Sequence, residues 1–225
     1  MGADLLSDIR QDWWRCGPTA RARVREVIHN PAMWAVFVYR FRRWVAETFP
    51  RPVRWLFAPL TGPLGVGVGL LTHVQLDTSA RVGPGLYLPH LGTVVIGPGS
   101  VVGRNCTIAH CVTVGRRGGP PAGPEDGVPV IGDRVYIGPG AAIVGPVSVG
   151  DDSLISAGAV VIKSIPVRSV VGGSPGRVLS REGSFDLIEY RGMESDPARV
   201  AALAAATGPP PAATVGQTAP ERAVT

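Results

Sequence analysis

The chain has 225 residues, with 22 lysines and arginines against 17 aspartates and glutamates, for a formal net charge of +5. That length holds one substantial domain with an appendage at each end. The mild basicity, partly concentrated before residue 55, suits a phosphorylated ligand or an acidic surface; without a dense Lys/Arg stripe interleaved with aromatics, it argues against nucleic acid.

Residues 1–72 read as an N-terminal helical region, running through DLLSDIRQDWW and PAMWAVFVYRFRRWVAETF. Trp34, Phe37, Val38, Phe41 and Val45 recur at three and four, which predicts one apolar helical face flanked by Arg40, Arg42 and Arg43. Two uses fit residues 31–71: a helix packed on the rest of the chain or on a partner subunit, or a basic amphipathic segment in peripheral contact with a membrane. WLFAPLTGPLGVGVGLL supports the second, but with Pro59, Pro63 and four glycines it is not expected to span a bilayer.

From about residue 73 a different period takes over. Ile131, Ile137, Ile143, Val149, Ile155, Val161 and Val167 fall six apart, and the same beat is present earlier at Ile96, Val102, Ile108 and Val114. Neither an amphipathic helix nor an ordinary paired strand has that period, so the fold class is mainly β, a parallel solenoid in which each hexad is one short strand and a turn. The β-branched side chain points inward, and glycine or another small residue tolerates the corner. Three hexads make a triangular turn of 18 residues, which places Ala141 against Ala159. Between Val114 and Ile131 the marker spacing is 17, and RRGGPPAGPEDG must loop out of the coil. A smaller slip lies near His90, where Leu88 and Ile96 are out of phase, and such irregularities are where chemistry is expected. Cys16, Cys106 and Cys111 are odd in number and lack metal-site spacing; with no signal peptide read at the N-terminus, the expectation is reduced thiols in a cytoplasmic protein, and for Cys106 and Cys111 small apolar repeat positions. Residues 181–206 are read as ending in a short helix over DPARVAALAAA, with Asp196 as cap and Pro197 at its first position. The Pro-, Ala- and Thr-rich residues 207–225 are read as a disordered tail.

GLYLPHLGTVVIG, NCTIAHCVTVG, PVIGDRVYIGPGAAIVGPVSVGDDSLISAGAVVIKSIP and VVGGSPGRVLS follow in an order that resembles the left-handed β-helix acyltransferases with hexapeptide repeats, specifically their serine acetyltransferase branch. DIRQDW and YRFRRW are weaker echoes of that branch's helical domain. The resemblance covers residues 73–180 and implies a left-handed β-helix, acetyl-CoA as acetyl donor, and a homotrimer with sites at subunit boundaries; a dimer of trimers stays open, as does a location at the inner face of the membrane. By the same resemblance His90 matches the catalytic histidine, while Lys163 and Arg177 match basic positions that meet the nucleotide phosphates.

Acetyl transfer to a hydroxyl needs a base to take the acceptor's proton, and an imidazole is the natural one. His110, 20 residues after His90, is the rival well inside the coil, and one turn plus a slip of two would make the imidazoles neighbours. The resemblance also exposes departures. Its carboxylate before the catalytic histidine is Pro89 here, and its orienting Asp aligns with Gln75, leaving Asp77 as the nearest substitute. Its carboxylate clamp of Arg and His aligns with Gly127 and Val128, so Arg116 and Arg117 at the loop's mouth are the replacement candidates for substrate binding. The acceptor is therefore read as a small serine-like molecule or a sugar hydroxyl. Ala141 and Ala159 are the small positions expected to admit the pantetheine arm. CoA carries the activated acyl group, so the chemistry requires no metal. Two other classes compete. A zinc carbonic anhydrase needs three converging histidines where His90 and His110 are available. A non-catalytic scaffold or membrane-attached assembly partner would explain the lost carboxylate and clamp, but not His90, Lys163 and Arg177 together.

Overall fold

The computed structural model describes residues 4–118 and 127–207; the expected tail beyond 207 and most of the expected extruded loop lie outside them. Four helices come first. α1 (Leu5–Arg15) is capped by the Asp4 carboxylate, which accepts from the Ser7 N–H, and α2 (Ala20–His29) by the Thr19 hydroxyl, which accepts from Ala22 N–H. α3 (Ala32–Thr48) and α4 (Arg51–Thr72) each begin after a proline, Pro31 and Pro50. α4 is continuous through Pro59 and Pro63 as one 22-residue helix. His73, in the left-handed region at φ 57°, ends it.

The chain then winds through three parallel sheets visited in rotation. The first face holds β1 (Val74–Leu76), β3 (Val94–Ile96), β6 (Val112–Gly115), β9 (Ala142–Val144) and β12 (Val160–Val161). The second holds β2 (Arg81–Val82), β4 (Val101–Val102), β7 (Val130–Ile131) and β10 (Ser148–Val149). The third holds β5 (Thr107–Ile108), β8 (Tyr136–Ile137), β11 (Leu154–Ile155) and β13 (Val170–Gly172), closed by an antiparallel β14 (Arg177–Ser180). Markers 18 apart stand in register, Ile131 on Val149, Ile137 on Ile155 and Ile143 on Val161, all at most 2% exposed. Strand alternation also turns inward the residue two positions before the marker, so Val135, Ala141 and Ala159 share the core. At the corner after the marker, a Cβ on Gly132 would lie 2.2 Å from Asp151 Oδ1, so that step tolerates only glycine.

The seventh marker departs from the pattern. Val167 is 57% exposed, and Ile165 takes its inward place, bridging to Val149. The last turn is two residues short, since Ile155 pairs with Val171 sixteen positions on, and the period of six through Val167 is a coincidence of composition.

The helices sit on the first turn of this coil through polar side chains that cap its corners. Asp12 and Arg40 form a buried pair, Nε to Oδ2 at 2.8 Å; Asp12 also accepts from the Gly85 and Leu86 N–H groups, and Arg40 donates to the Val82 and Gly83 carbonyls. Tyr39 donates its hydroxyl hydrogen to Ala80 O, and Arg15 donates to Asn105 O and Thr107 Oγ1. The face of α3 that is fully buried is therefore Ala32, Met33, Val36, Tyr39 and Arg40; of the predicted stripe Val45 is buried, while Trp34, Phe37, Val38 and Phe41 are only half-buried. Open corner carbonyls need donors, and that need outranks hydrophobicity in choosing the face. Residues 181–193 also belong with the coil, not with the C-terminal helix as read from sequence: Ile188 is fully buried, and the Ser184 hydroxyl donates to Arg134 O. A separate unit from Glu194 contains the helix α5 (Pro197–Thr207).

Candidate active site

The corner between the third and first faces carries the histidines. From Leu88 to Ile96 the inward markers are eight residues apart instead of six, and the extra length makes a bulge at Pro89 to Thr93 that leaves His90 exposed. The first turn is accordingly 20 residues long, with Val74 opposite Val94 and Tyr87 opposite Thr107, and the next returns to 18, with Val94 opposite Val112. That slip brings His110 beneath His90. Their ring centroids are 5.7 Å apart, edge to face at 73°. Gly92 makes the approach possible: its φ is +149°, and a Cβ there would fall 2.8 Å from the His110 Cβ. The His110 Nδ1 is buried with no hydrogen-bond partner.

The helical region holds the segment that presents His90, a role the sequence reading missed. Asn30 Nδ2 donates to Leu88 O at 2.7 Å, and the Tyr87 hydroxyl donates to Glu26 Oε1 at 2.9 Å. Burial and that bond to Glu26 push the Tyr87 phenol well above its ordinary range, so it stays a donor. Asp12 and Arg40 pin Gly83 to Leu86 just upstream. The signal available in the sequence was DIRQDW and YRFRRW, which contain this pair.

Asp77 does not orient His90. Its carboxylate accepts from the Ser79 N–H at 2.8 Å and the Ser79 hydroxyl at 2.6 Å, capping the corner at the far end of the first face. No carboxylate bonds to His90 among the described residues, and Gln75 lies mid-strand on β1, beside Val95. Arg116 and Arg117 are exposed, and Arg117 lies beside Gly145. The four-residue strand β6, ~13 Å long at about 3.3 Å per residue, lies between His110 and the two arginines, which sit at its far end. Gly127 and Val128 place no cation at the imidazoles.

Ala141 and Ala159 stack as expected, but their side chains face the core at 1% and 0% exposure. What the coil offers outward beside them is glycine: Gly140 donates its N–H to His110 O, Gly158 to Pro139 O, and a Cβ on Gly158 would meet nothing within 4 Å. The corner below the imidazoles thus exposes backbone at Gly140 and Gly158. Lys163 and Arg177 are both exposed at the last turn, where Gly176 N–H bonds to Val160 O and brings the turn before β14 beside β12. Cys111, expected as a small apolar repeat position, is exposed at the corner next to His110 in a left-handed conformation, φ 59°, whereas Cys106 is fully buried. Among the described residues no three His, Cys, Asp or Glu side chains converge as a metal site would require. A cavity of about 510 Å³ lies between α3, α4 and the first face; Gln75, Arg42 and Asp77 line it, and His73 and Thr93 bound its end nearest the His90 bulge.

A parallel coil of hexads with an imidazole pair at one corner is the frame of a hexapeptide-repeat transferase, and residues 129–163 match the family described as Bacterial transferase hexapeptide (six repeats). Serine acetyltransferase from Mycobacterium tuberculosis is 35% identical over 207 residues, 88% of this chain and 86% of that protein. The Synechococcus elongatus serine acetyltransferase is 31% identical, covering 87% of this chain and 76% of its own length. Brucella abortus serine acetyltransferase, solved in complex with coenzyme A, superposes with a TM-score of 0.62 and 32% identity over 80% of this chain and 67% of that one. The chain belongs to the serine acetyltransferase family, and it is an acyltransferase.

Proposed function

We propose that this chain is a left-handed parallel β-helix enzyme that transfers acetyl from acetyl-CoA to an acceptor hydroxyl, with His90 as general base. The observation that carries this reading is the His90–His110 pair, presented at a bulged corner above the exposed Gly140 and Gly158. The acceptor O–H gives its proton to the His90 imidazole as its oxygen attacks the thioester carbonyl; the C–S bond then breaks, and the departing thiolate takes the proton from the imidazolium, leaving ester and free CoA thiol. The exposed backbone at Gly140 and Gly158 suits the pantetheine arm, whose amides can bond to it. Lys163 and Arg177 at the last turn suit the nucleotide phosphates.

L-serine, the acceptor named for the relatives, is the first candidate. A hydroxyl on a larger metabolite, such as a sugar, is the second reading: among the described residues Arg116 and Arg117 lie at the far end of β6 from the imidazoles, and the cavity beside Gln75 and Thr93 has room for a bulkier body. A homotrimer, in which a neighbour completes each site, belongs to the same reading.

The test is thiol release from acetyl-CoA with L-serine against a panel of sugars and nucleotide sugars. His90→Ala is expected to lower turnover at least about a hundredfold while CoA binding holds, the usual cost of losing a general base. Near-normal turnover would remove His90 from the mechanism.

A further inference from the structure

The helix α4 carries a surface that acyl transfer does not use. It is 22 residues long, with no charged side chain after Arg54, and only 6% of its most apolar stretch is buried. Trp55 and Leu56 are each 78% exposed, Leu70 is 74%, and Leu60 and Leu71 are more than half exposed. At about 100° per residue these positions, with Pro59, Pro63 and Val66 between them, sweep an arc of about 160°. The remaining stripe, from Phe57 through Thr61 and Gly65 to Thr72, faces α3 and the coil. Continuous apolar exposure of that width is far more than a single packed helix would cover.

We infer that this arc docks on a lipid bilayer, with α4 lying in the plane of the interface and its N-terminal end on anionic headgroups. Charge separates lipid from a second copy of the chain as the occupant. Arg51 and Arg54 are exposed at the N-terminal end next to Trp55, and between Glu47 and Asp77 the chain has no acidic residue. Cations and an indole at one end of an apolar helix are the anchors of a membrane surface. The helix is long enough to cross a bilayer, at ~33 Å for a rise of about 1.5 Å per residue. It is held in plane instead because α3, bearing Arg42, Arg43 and Glu47, lies along its other side. The Arg42 guanidinium covers Gly65, Phe49 and Phe57 rings are in contact at 5.0 Å, and Thr72 leads directly into β1. Crossing would drag those charges into hydrocarbon. Lying flat instead immerses only the uncharged arc.

Flotation of the purified full-length chain with vesicles tests this. Vesicles of equimolar phosphatidylcholine and phosphatidylglycerol should carry the protein upward, and pure phosphatidylcholine should carry much less. Arg51→Ser with Arg54→Ser should lower partitioning about thirtyfold, at about fivefold for each arginine near an anionic surface. Leu56→Ser with Leu60→Ser should abolish it. Both variants should keep wild-type thiol release and wild-type mass by light scattering. Protein that stays below both kinds of vesicle, or binding that neither variant changes, overturns the inference. So does a fall in oligomer mass in the leucine variant, since a second copy of the chain would then be what covers the arc.

Discussion

Asp12→Ala is the sharpest test of how the helices present the corner that bears His90. Asp12 is fully buried, and its two oxygens receive Arg40 Nε at 2.8 Å, Arg40 Nη2 at 3.1 Å, Gly85 N at 2.8 Å and Leu86 N at 2.9 Å. Burial pushes its carboxyl up, and Arg40 with the two backbone N–H groups pulls the other way; four donors and no acceptor around it define a carboxylate. Alanine leaves the Arg40 guanidinium, 2% exposed, with only the more distant Asp8 carboxylate at 3.9 Å as counter-charge, a loss toward the lower end of the about 3–5 kcal/mol of a broken buried pair. It also orphans two backbone donors at about 1–3 kcal/mol each, and these losses overlap, so a total on the order of 5 kcal/mol is expected. Against a typical stability of about 5–15 kcal/mol, that moves the urea midpoint severely. Trp13 and Trp14 adjoin the site and supply the fluorescence signal. The double variant Asp12→Leu with Arg40→Met should be less damaged than the sum of the single ones by at least about 2 kcal/mol, because no unpaired charge remains. A loss under about 1 kcal/mol for Asp12→Ala, or simple additivity in the double variant, would refute the reasoning.

Gly92→Ala places a side chain at φ +149° and against the His110 Cβ, so turnover should fall about tenfold to a hundredfold by displacing the imidazole pair while acetyl-CoA affinity holds; turnover within about twofold of wild type would separate the pair from the chemistry. Burial pushes the Cys16 and Cys106 thiols up to about 12 from 9.0. The folded thiols stay protonated where the unfolded ones ionise, so stability is fully present below about pH 9 and falls as pH rises toward about 12, by up to about 1.4 kcal/mol per pH unit for each thiol. Urea midpoints at about pH 8 and about pH 10 should therefore diverge in the wild type and converge in Cys16→Ala with Cys106→Ala. Iodoacetamide should modify Cys111 in the folded enzyme, leave the two buried cysteines intact, and block turnover by crowding His110.

The rotation through three faces, the inward markers from Ile131 to Val161 and the bulge at His90 were legible because each hexad repeats one local conformation, and spacing along the chain alone records it. So was the meeting of His90 with His110, since a phase slip of two is arithmetic on the same repeat. Other features needed the folded chain. Val167 and Ile165 are equally good inward residues by type, and only hydrogen bonds from Ile165 N to Ser148 O and from Gly150 N to Ile165 O select between them. Asp77 is close to Gln75 in sequence, yet a strand's length along the first face removes it from His90. Ala141 and Ala159 are small for the core's sake. Most of the apolar stripe of α3 lost its place to Tyr39 and Arg40, because corner carbonyls of a coil many residues later require donors. Sequence by itself determined the repeat and its irregularities, since these are local and periodic. Tertiary structure alone decided which face, which partner and which corner each polar side chain serves, because those depend on buried groups distant in sequence being satisfied together.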